Sequence, residues 1–422
     1  MSSCSRTRTK APRSARSRRN GGFSSSSATI VADIDDIMIH ILSLLPIKTL
    51  LRFKRVSKRW LSLITNPDFS NRIIKSNHPL PISGFFLHSP RAIKYSFVSL
   101  DDDDDDATNQ RVSSSLPLWF TDHQTDMIIM QSTNGLLLCK CSCASSNHFN
   151  TNYYVYNPTT KQYTLLPQIT GHIALSLAFD PSKSPHYKVF CLRGRSNNSV
   201  SSASDSELYH IEVYSSNEGL WRRVVPVLTS PSTFIEFTYS VFWNGAVHWY
   251  GLSSRDCLSF DISKEEIKIL PLPDLDDEEA LLPDPRTLRF LDESQGNLYY
   301  IEVNDQSSSD LPVYEMERNS SSWSVKYNVD LEPLAAVFPE MITEDYTNRR
   351  IYAFSVIGFV KEETDAASYI LLHIPNKAVK YNFIDKTFKK LCDFKPLVND
   401  APEDHFYRFQ RTFQCIKSLA NV

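Results

Sequence analysis

The chain has 422 residues, of which 41% are hydrophobic and 22% charged, with a formal net charge of −3 at pH 7. That length can bury a sizeable core and exceeds one average domain, and the near-neutral balance excludes a chain-wide polyanion binder. No apolar run approaches the ~20 residues of a spanning helix, and no secretory leader precedes the eight cysteines, so no membrane span and a reducing compartment, nucleus or cytoplasm, are expected.

In chain order, residues 1–27 form a separate compositional segment. Arg6, Arg8, Lys10, Arg13, Arg16, Arg18 and Arg19 alternate with serines, without one acidic residue. So little apolar surface cannot offset chain entropy, and a disordered basic tail is expected. Three readings stand: a nuclear localisation patch, an Arg- and Ser-rich transit peptide, and a plain solvated tail.

Residues 28–75 read as a small helical unit. Ile34, Ile37, Met38, Ile41, Leu42 and Leu45 recur at the spacing of one helix face, with Asp33, Asp35 and Asp36 in the first turn, where carboxylates favour the positive end of the helix dipole. Pro46 closes that helix and serves as the first residue of a second, which carries Leu50, Leu51 and Phe53. Ser57 is the expected N-cap of a third, with Val56, Trp60, Leu61 and Ile64 on one side. Pro67 starts a further turn carrying Phe69, Ile73 and Ile74. So small a unit cannot bury much surface alone, so its apolar faces must dock on the rest of the chain or on another protein.

From residue 80 to 422 the helical period gives way to short apolar and aromatic runs separated by turn signals. One phrase is a turn pair before a strand: Asn134-Gly135, Asn244-Gly245 and Gly296-Asn297. The other is strand, polar turn, strand, as in Tyr153 to Pro167, Cys257 to Pro271 and Val379 to Leu391, with weaker copies at Ile211 to Val225 and Val313 to Val325. Copies start about 45 to 60 residues apart, the range of propeller blades, and an array of hairpins must close to hide its edges. The expected fold class is mainly β with a small N-terminal all-α motif. The β domain is read as a β-propeller of about six or seven blades, and a sandwich or irregular barrel is the alternative. Asp101 to Asp106, Ser196 to Ser206 and Pro271 to Pro285 read as loop insertions.

The stretch from Asp33 to Phe69 resembles an F-box. The match runs through Ile41-Leu42-Ser43, Leu45-Pro46, Lys48, Leu50, Arg52-Phe53-Lys54, Val56-Ser57-Lys58, Trp60 and Ser62-Leu63-Ile64. The family motif opens with Leu-Pro, where this chain has Asp33-Ile34, and His40 replaces a common Glu. The resemblance implies docking to a Skp-type adaptor and, through it, a cullin, within an SCF ubiquitin ligase. Carried over by position, the adaptor-binding residues are Ile37, Ile41, Leu42, Pro46, Leu50, Val56, Trp60 and Leu61. An apolar helical surface with a Trp anchor suits that task. Lys48, Arg52, Lys54, Arg55, Lys58 and Arg59 either steer an acidic partner or solvate outer faces.

The rest of the chain resembles the F-box-associated domain of the large plant F-box group, through Ser132-Thr133-Asn134-Gly135-Leu136-Leu137, Tyr156-Asn157-Pro158-Thr159-Thr160, Ala178-Phe179-Asp180, Phe242 to Trp249 and Ser259-Phe260-Asp261. The resemblance implies a kelch-like or propeller-like domain that recruits a target protein and has no active site of its own. No nucleic acid, cofactor or metal is expected. Cys139, Cys141 and Cys143 have C-x-C-x-C spacing, which lacks the paired spacing of structural zinc sites. No nucleophile elbow, Walker loop or zinc-helix signature occurs. The competing reading is a module outside any ligase that binds a protein or a glycan, with Trp243, Trp249 and Tyr250 available to stack on a sugar.

Overall fold

The computed structural model describes residues 35–76, 79–88, 95–100, 112–113, 127–145, 148–169, 171–172, 174–194, 208–229, 239–250, 256–273, 288–303, 306–344, 348–394 and 411–422. The basic tail, Asp33-Ile34, the six-aspartate run and Ser196 to Ser206 lie outside the described residues.

Four helices open the structure: α1 (Asp35–Ser43), α2 (Ile47–Phe53), α3 (Lys58–Thr65) and α4 (Pro67–Ser76). Ser57 caps α3 as expected, its Oγ accepting the Trp60 N–H at 3.1 Å. Two expectations are corrected. Pro46 precedes α2 rather than opening it, with extended ψ, and its carbonyl accepts from Thr49 and Leu50 at 2.9 and 3.1 Å. The single turn expected after Pro67 is a ten-residue helix, begun by the Asn66 side chain accepting the Asp68 N–H at 2.8 Å.

The β domain is a six-bladed propeller, with six four-stranded antiparallel sheets taken in sequence around a ring. Blade 1 holds β1 (Ile82–His88), β2 (Tyr95–Ser99) and β3 (Val112–Ser113). Blade 2 holds β4 (Met127–Thr133), β5 (Leu136–Ser145), β6 (His148–Asn157) and β7 (Gln162–Leu165). Blade 3 holds β8 (Ala174–Ala178), β9 (Lys188–Gly194), β10 (Leu208–Ser215) and β11 (Leu220–Thr229). Blade 4 holds β12 (Tyr239–Trp243), β13 (Ala246–Tyr250), β14 (Asp256–Asp261) and β15 (Glu266–Pro271). Blade 5 holds β16 (Leu288–Ser294), β17 (Asn297–Val303), β18 (Asp310–Met316) and β19 (Ser324–Asp330). A short helix α5 (Glu332–Val337) and the ribbon β20 (Ile342–Glu344) with β21 (Arg350–Tyr352) lead to blade 6: β22 (Ser355–Val360), β23 (Tyr369–Ile374), β24 (Lys377–Asn382) and β25 (Phe388–Asp393). The last strand, β26 (Arg411–Ile416), returns to blade 1 and pairs with β1 as its innermost strand. The chain's two ends thus close the ring, and no inner edge stays open.

The recurring phrases of the sequence are the hairpins of the blades. Asn134-Gly135 and Asn244-Gly245 turn between the first two strands of blades 2 and 4, all four residues at positive φ. In blade 5 the turn pair is Gln295-Gly296, one residue earlier than expected, and Asn297 begins β17. The strand-turn-strand phrases are the outer hairpins β6–β7, β14–β15 and β24–β25, and the weaker copies are β10–β11 and β18–β19.

Because strands alternate in direction, these inner-pair and outer-pair turns share one face of the ring. The α4–β1 junction and the segment after β26 lie at the same face, since Ile82 pairs with Ile416. We call it the near face. The core lies between adjacent blades, as alternation of side chains requires. At the ring closure Gly358 on β22 lets the buried Phe85 ring of β1 lie where a Cβ would stand, 2.2 Å from its nearest atom.

Candidate functional site

The four helices are seated on the near face by one hydrophobic cluster. It joins Leu42, Leu50, Ile64, Phe69 and Ile73 to Leu136, Leu138, Tyr187 and Val189 of blades 2 and 3, and to Leu419 and Ala420 after β26. That terminal segment is itself held. Asn157, fully buried, donates from Nδ2 to the carbonyls of Ser418 at 3.1 Å and Ala420 at 2.8 Å, and Ser418 N–H donates to Thr159 Oγ1. Gly135 leaves room for it, since a Cβ there would lie 2.5 Å from the Ser418 Cβ. Beside α4, Asp68, Asn71, Arg72, Lys75 and Pro185 line an open cleft of about 710 Å³ where the helix meets the β8–β9 connection.

The eight residues carried over from the motif divide into two sets. Ile37, Ile41, Val56 and Leu61 stay exposed at 39%, 42%, 60% and 43%, and Pro46 is exposed beside them. Leu42 and Leu50 are at 0%. These two hold the helices on the propeller and are not available to a partner, so they are corrected from contact residues to core residues. Trp60 stands between the sets, with its ring edge-on to Phe53 at 4.9 Å and packed on the same core. Leu44, exposed at 73%, continues the stripe of Ile37 and Ile41 in the turn just past α1 and was missed, although i, i+4, i+7 spacing marks it. Arg59 of α3 grips Asp35 of α1 at 2.6 Å and fastens the two outward helices side by side.

Polar side chains join the inner strands at the propeller axis. Gln131 of β4 accepts the Leu177 N–H at 2.6 Å and donates to the Leu177 carbonyl at 2.9 Å, and it also accepts the Ser240 hydroxyl of β12. Gln414 of β26 donates to Asp292 Oδ2 at 2.9 Å and to the Glu293 carbonyl at 2.7 Å on β16. Enclosure at the axis pushes the Asp292 carboxyl up to about 7, aided by the neighbouring Glu293. The Asp292 carboxyl links β16 to β26, and the Glu293 carboxyl closes its own β16–β17 turn by accepting the Gly296 N–H at 2.6 Å. Gln414 thus ties blade 1 to blade 5 at the axis.

Cys139 and Cys141 lie together in the core between blades 1 and 2, and burial pushes the Cys139 thiol far above its ordinary range. Among the described residues no group of three His, Cys, Asp or Glu side chains is placed to hold a metal, and no helix is long and apolar enough to cross a membrane. Trp243 and Trp249 are buried and hydrogen-bonded within the fold, to the Gly296 carbonyl and to Ser176 Oγ. A stacking surface for a sugar is not built from them.

With this geometry in view, comparison with known proteins is direct. Residues 35–72 match the F-box domain, and residues 98–356 match the family described as F-box protein At3g26010-like, beta-propeller. The chain belongs to this family of F-box propeller proteins. It is 90% identical over its whole length to the whole of F-box protein At5g07610 of Arabidopsis thaliana. F-box protein At5g49610 of the same plant is 28% identical, over 72% of this chain and 81% of that protein. Among solved structures, a chain of a nidogen/laminin complex is similar at a TM-score of 0.40 and 9% identity, over 79% of this chain and 99% of that one.

Proposed function

We propose that the protein is the substrate-receptor subunit of an SCF ubiquitin ligase, with the F-box helices docking a Skp-type adaptor and the propeller holding a target protein. F-box domains as a class bind such adaptors, and membership of an F-box family supports the reading. One observation carries it: Ile37, Ile41, Leu44, Val56 and Leu61 expose a set of large apolar side chains on helices whose other faces are already buried. A monomer gains nothing from such exposure, and apolar groups concentrated on one surface mark a partner site. Through the adaptor the chain meets a cullin, and thioester chemistry stays with other subunits. The role here is to raise the effective concentration of the target near the transferring subunit. The basic tail and the free cysteines of the described residues fit a nuclear or cytoplasmic location.

The test is titration of the full chain with a purified Skp-type adaptor. The expected result is tight binding that Ile41→Asp and Leu61→Asp each weaken by at least about tenfold with an unchanged melting temperature. Absence of binding by the folded wild-type chain overturns the reading and favours a binding module outside any ligase.

A further inference from the structure

The last F-box helix and the β8–β9 connection face each other across the open cleft. Phe69 and Ile73 of α4 share one buried cluster with Tyr187 and Val189, which brings the end of that connection against the helix. With Phe69 and Ile73 turned inward, the helical period leaves Asp68, Asn71, Arg72 and Lys75 along the flank of α4. These four side chains form one wall of the cleft, and Pro185 forms the other. Arg72 and Lys75 are exposed, and among the described residues neither makes an ion pair. Asp68 is the single carboxylate on that wall, so one positive charge is in excess.

Ser184 stands directly before Pro185 and is half-buried. Its Oγ accepts the His186 N–H at 3.1 Å, and its own N–H donates to the Asp180 carbonyl at 3.0 Å. Lys183 beside it is engaged by Asp180 at 3.3 Å. Proline holds the preceding residue out of the helical region, in the extended form in which a kinase takes its substrate chain. Ser-Pro is also the pair that proline-directed kinases read. The chain has three such pairs, Ser89-Pro90, Ser184-Pro185 and Ser230-Pro231. The first and the last lie outside the described residues.

We propose that Ser184 is a phosphorylation site for a proline-directed kinase, and that Arg72 and Lys75 hold the attached phosphate and so clamp the F-box helices to blade 3. The γ-phosphoryl group of ATP passes to Ser184 Oγ. The new Oγ–P bond forms as the bond from that phosphorus to the β–γ bridging oxygen breaks, ADP leaves, and the hydroxyl proton passes to the base of the kinase. The phosphoserine carries about two negative charges at pH 7 and several acceptor oxygens, which suits a guanidinium and an ammonium one turn apart on one helix. It bridges the edge of the joint that the buried contacts of Phe69 and Ile73 leave open. The clamp needs neither adaptor nor target, so it stands or falls independently of adaptor docking.

The experiment uses the full chain with Ser89→Ala and Ser230→Ala, which leaves Ser184 as the remaining Ser-Pro acceptor. It is incubated with ATP and an active mitogen-activated protein kinase. The expected result is phosphate on Ser184 by peptide mass spectrometry, with amide hydrogen exchange across α4 slowed by at least about tenfold, an effect that shrinks with added salt. Arg72→Gln with Lys75→Gln, both at exposed positions, takes up the phosphate without the slowing. Ser184→Ala takes up none and exchanges as the unphosphorylated chain does. The proposal is overturned by a Ser184 left unmodified by a kinase that phosphorylates a Ser-Pro control peptide. It is equally overturned by phosphorylation that leaves α4 exchange unchanged, or by slowing that survives the loss of Arg72 and Lys75.

Discussion

The two faces of the propeller differ in how they are made. On the near face the chain turns within a few residues, at Asn134-Gly135, Asn244-Gly245 and Gln295-Gly296 and in the outer hairpins. Asx side chains close several of these turns, with Asn157 accepting from Thr159 and Thr160, Asp261 from Ser263 and Lys264, and Asn382 from Ile384 and Asp385. At the far face the strand ends are joined by stretches such as 195–207, 230–238, 274–287 and 395–410. Three longer connections, 101–111, 179–187 and 361–368, run between near-face ends. Most of the turns of the face that seats the F-box helices are specified by turn chemistry, and the opposite face carries most of the long connections, the kind of segment on which recognition surfaces usually arise.

The largest effect expected tests whether the near face truly closes the ring. Deleting residues 411–422 removes the inner strand of blade 1 together with Leu419 and Ala420 from the cluster under the F-box. It also strands the Asn157 amide, which loses both acceptors. The shortened chain is expected to lose cooperative unfolding altogether, as read by calorimetry or near-ultraviolet dichroism. A two-state transition near the wild-type midpoint would show that blade 1 is held without its closing strand.

The next effect divides the F-box residues themselves. Leu42→Ala and Leu50→Ala each remove a fully buried side chain and are expected to cost about 2–5 kcal/mol of stability. Ile41→Ala and Leu61→Ala remove exposed atoms and are expected to stay within about 0.5 kcal/mol of wild type while weakening adaptor binding. Urea unfolding and adaptor titration on the four variants separate core from contact. An exchange of the two patterns would mean that the helices turn over when the adaptor binds.

Legibility in the sequence followed the same division. The F-box was readable because helix periodicity, the Ser57 cap and the prolines all act within a few residues. The blades were readable from their near-face turns, since Asn-Gly and Asx turns carry their geometry in residue type. Ring closure was not readable: the pairing of β1 with β26 depends on residues more than 300 positions apart, and nothing local in Arg411–Ile416 announces a partner. Blade number stayed at six or seven for the same reason. Burial of Leu42 and Leu50 was illegible because both sides of a short helix are apolar, and only the packed propeller decides which side it covers.

The smallest effect concerns pH, and it sets a near-face hairpin against the axis. His248 of β13 is buried beside the Asn244-Gly245 turn, its Nε2 3.3 Å from the Trp243 carbonyl, and burial pushes its imidazole down to about 4. The folded state then binds fewer protons than the unfolded one below pH 6.5, so this group's contribution is intact above 6.5 and is lost as pH falls toward 4. The loss amounts to about 2 kcal/mol between pH 7 and 5. Asp292 acts with the opposite sign. Its carboxyl, raised to about 7, keeps its proton in the folded state where the unfolded chain has released it, so stability falls as pH rises from about 4 to 7. Over the interval from pH 7 to 5 the two terms oppose each other, and the wild-type curve is expected to be flatter than either. His248→Gln should make stability rise on acidification, and Asp292→Asn should make it fall. Urea midpoints measured at pH 5, 6 and 7 read both slopes. Parallel curves for the two variants would show that neither group titrates in its structural setting, and that the pH response of the ring arises elsewhere.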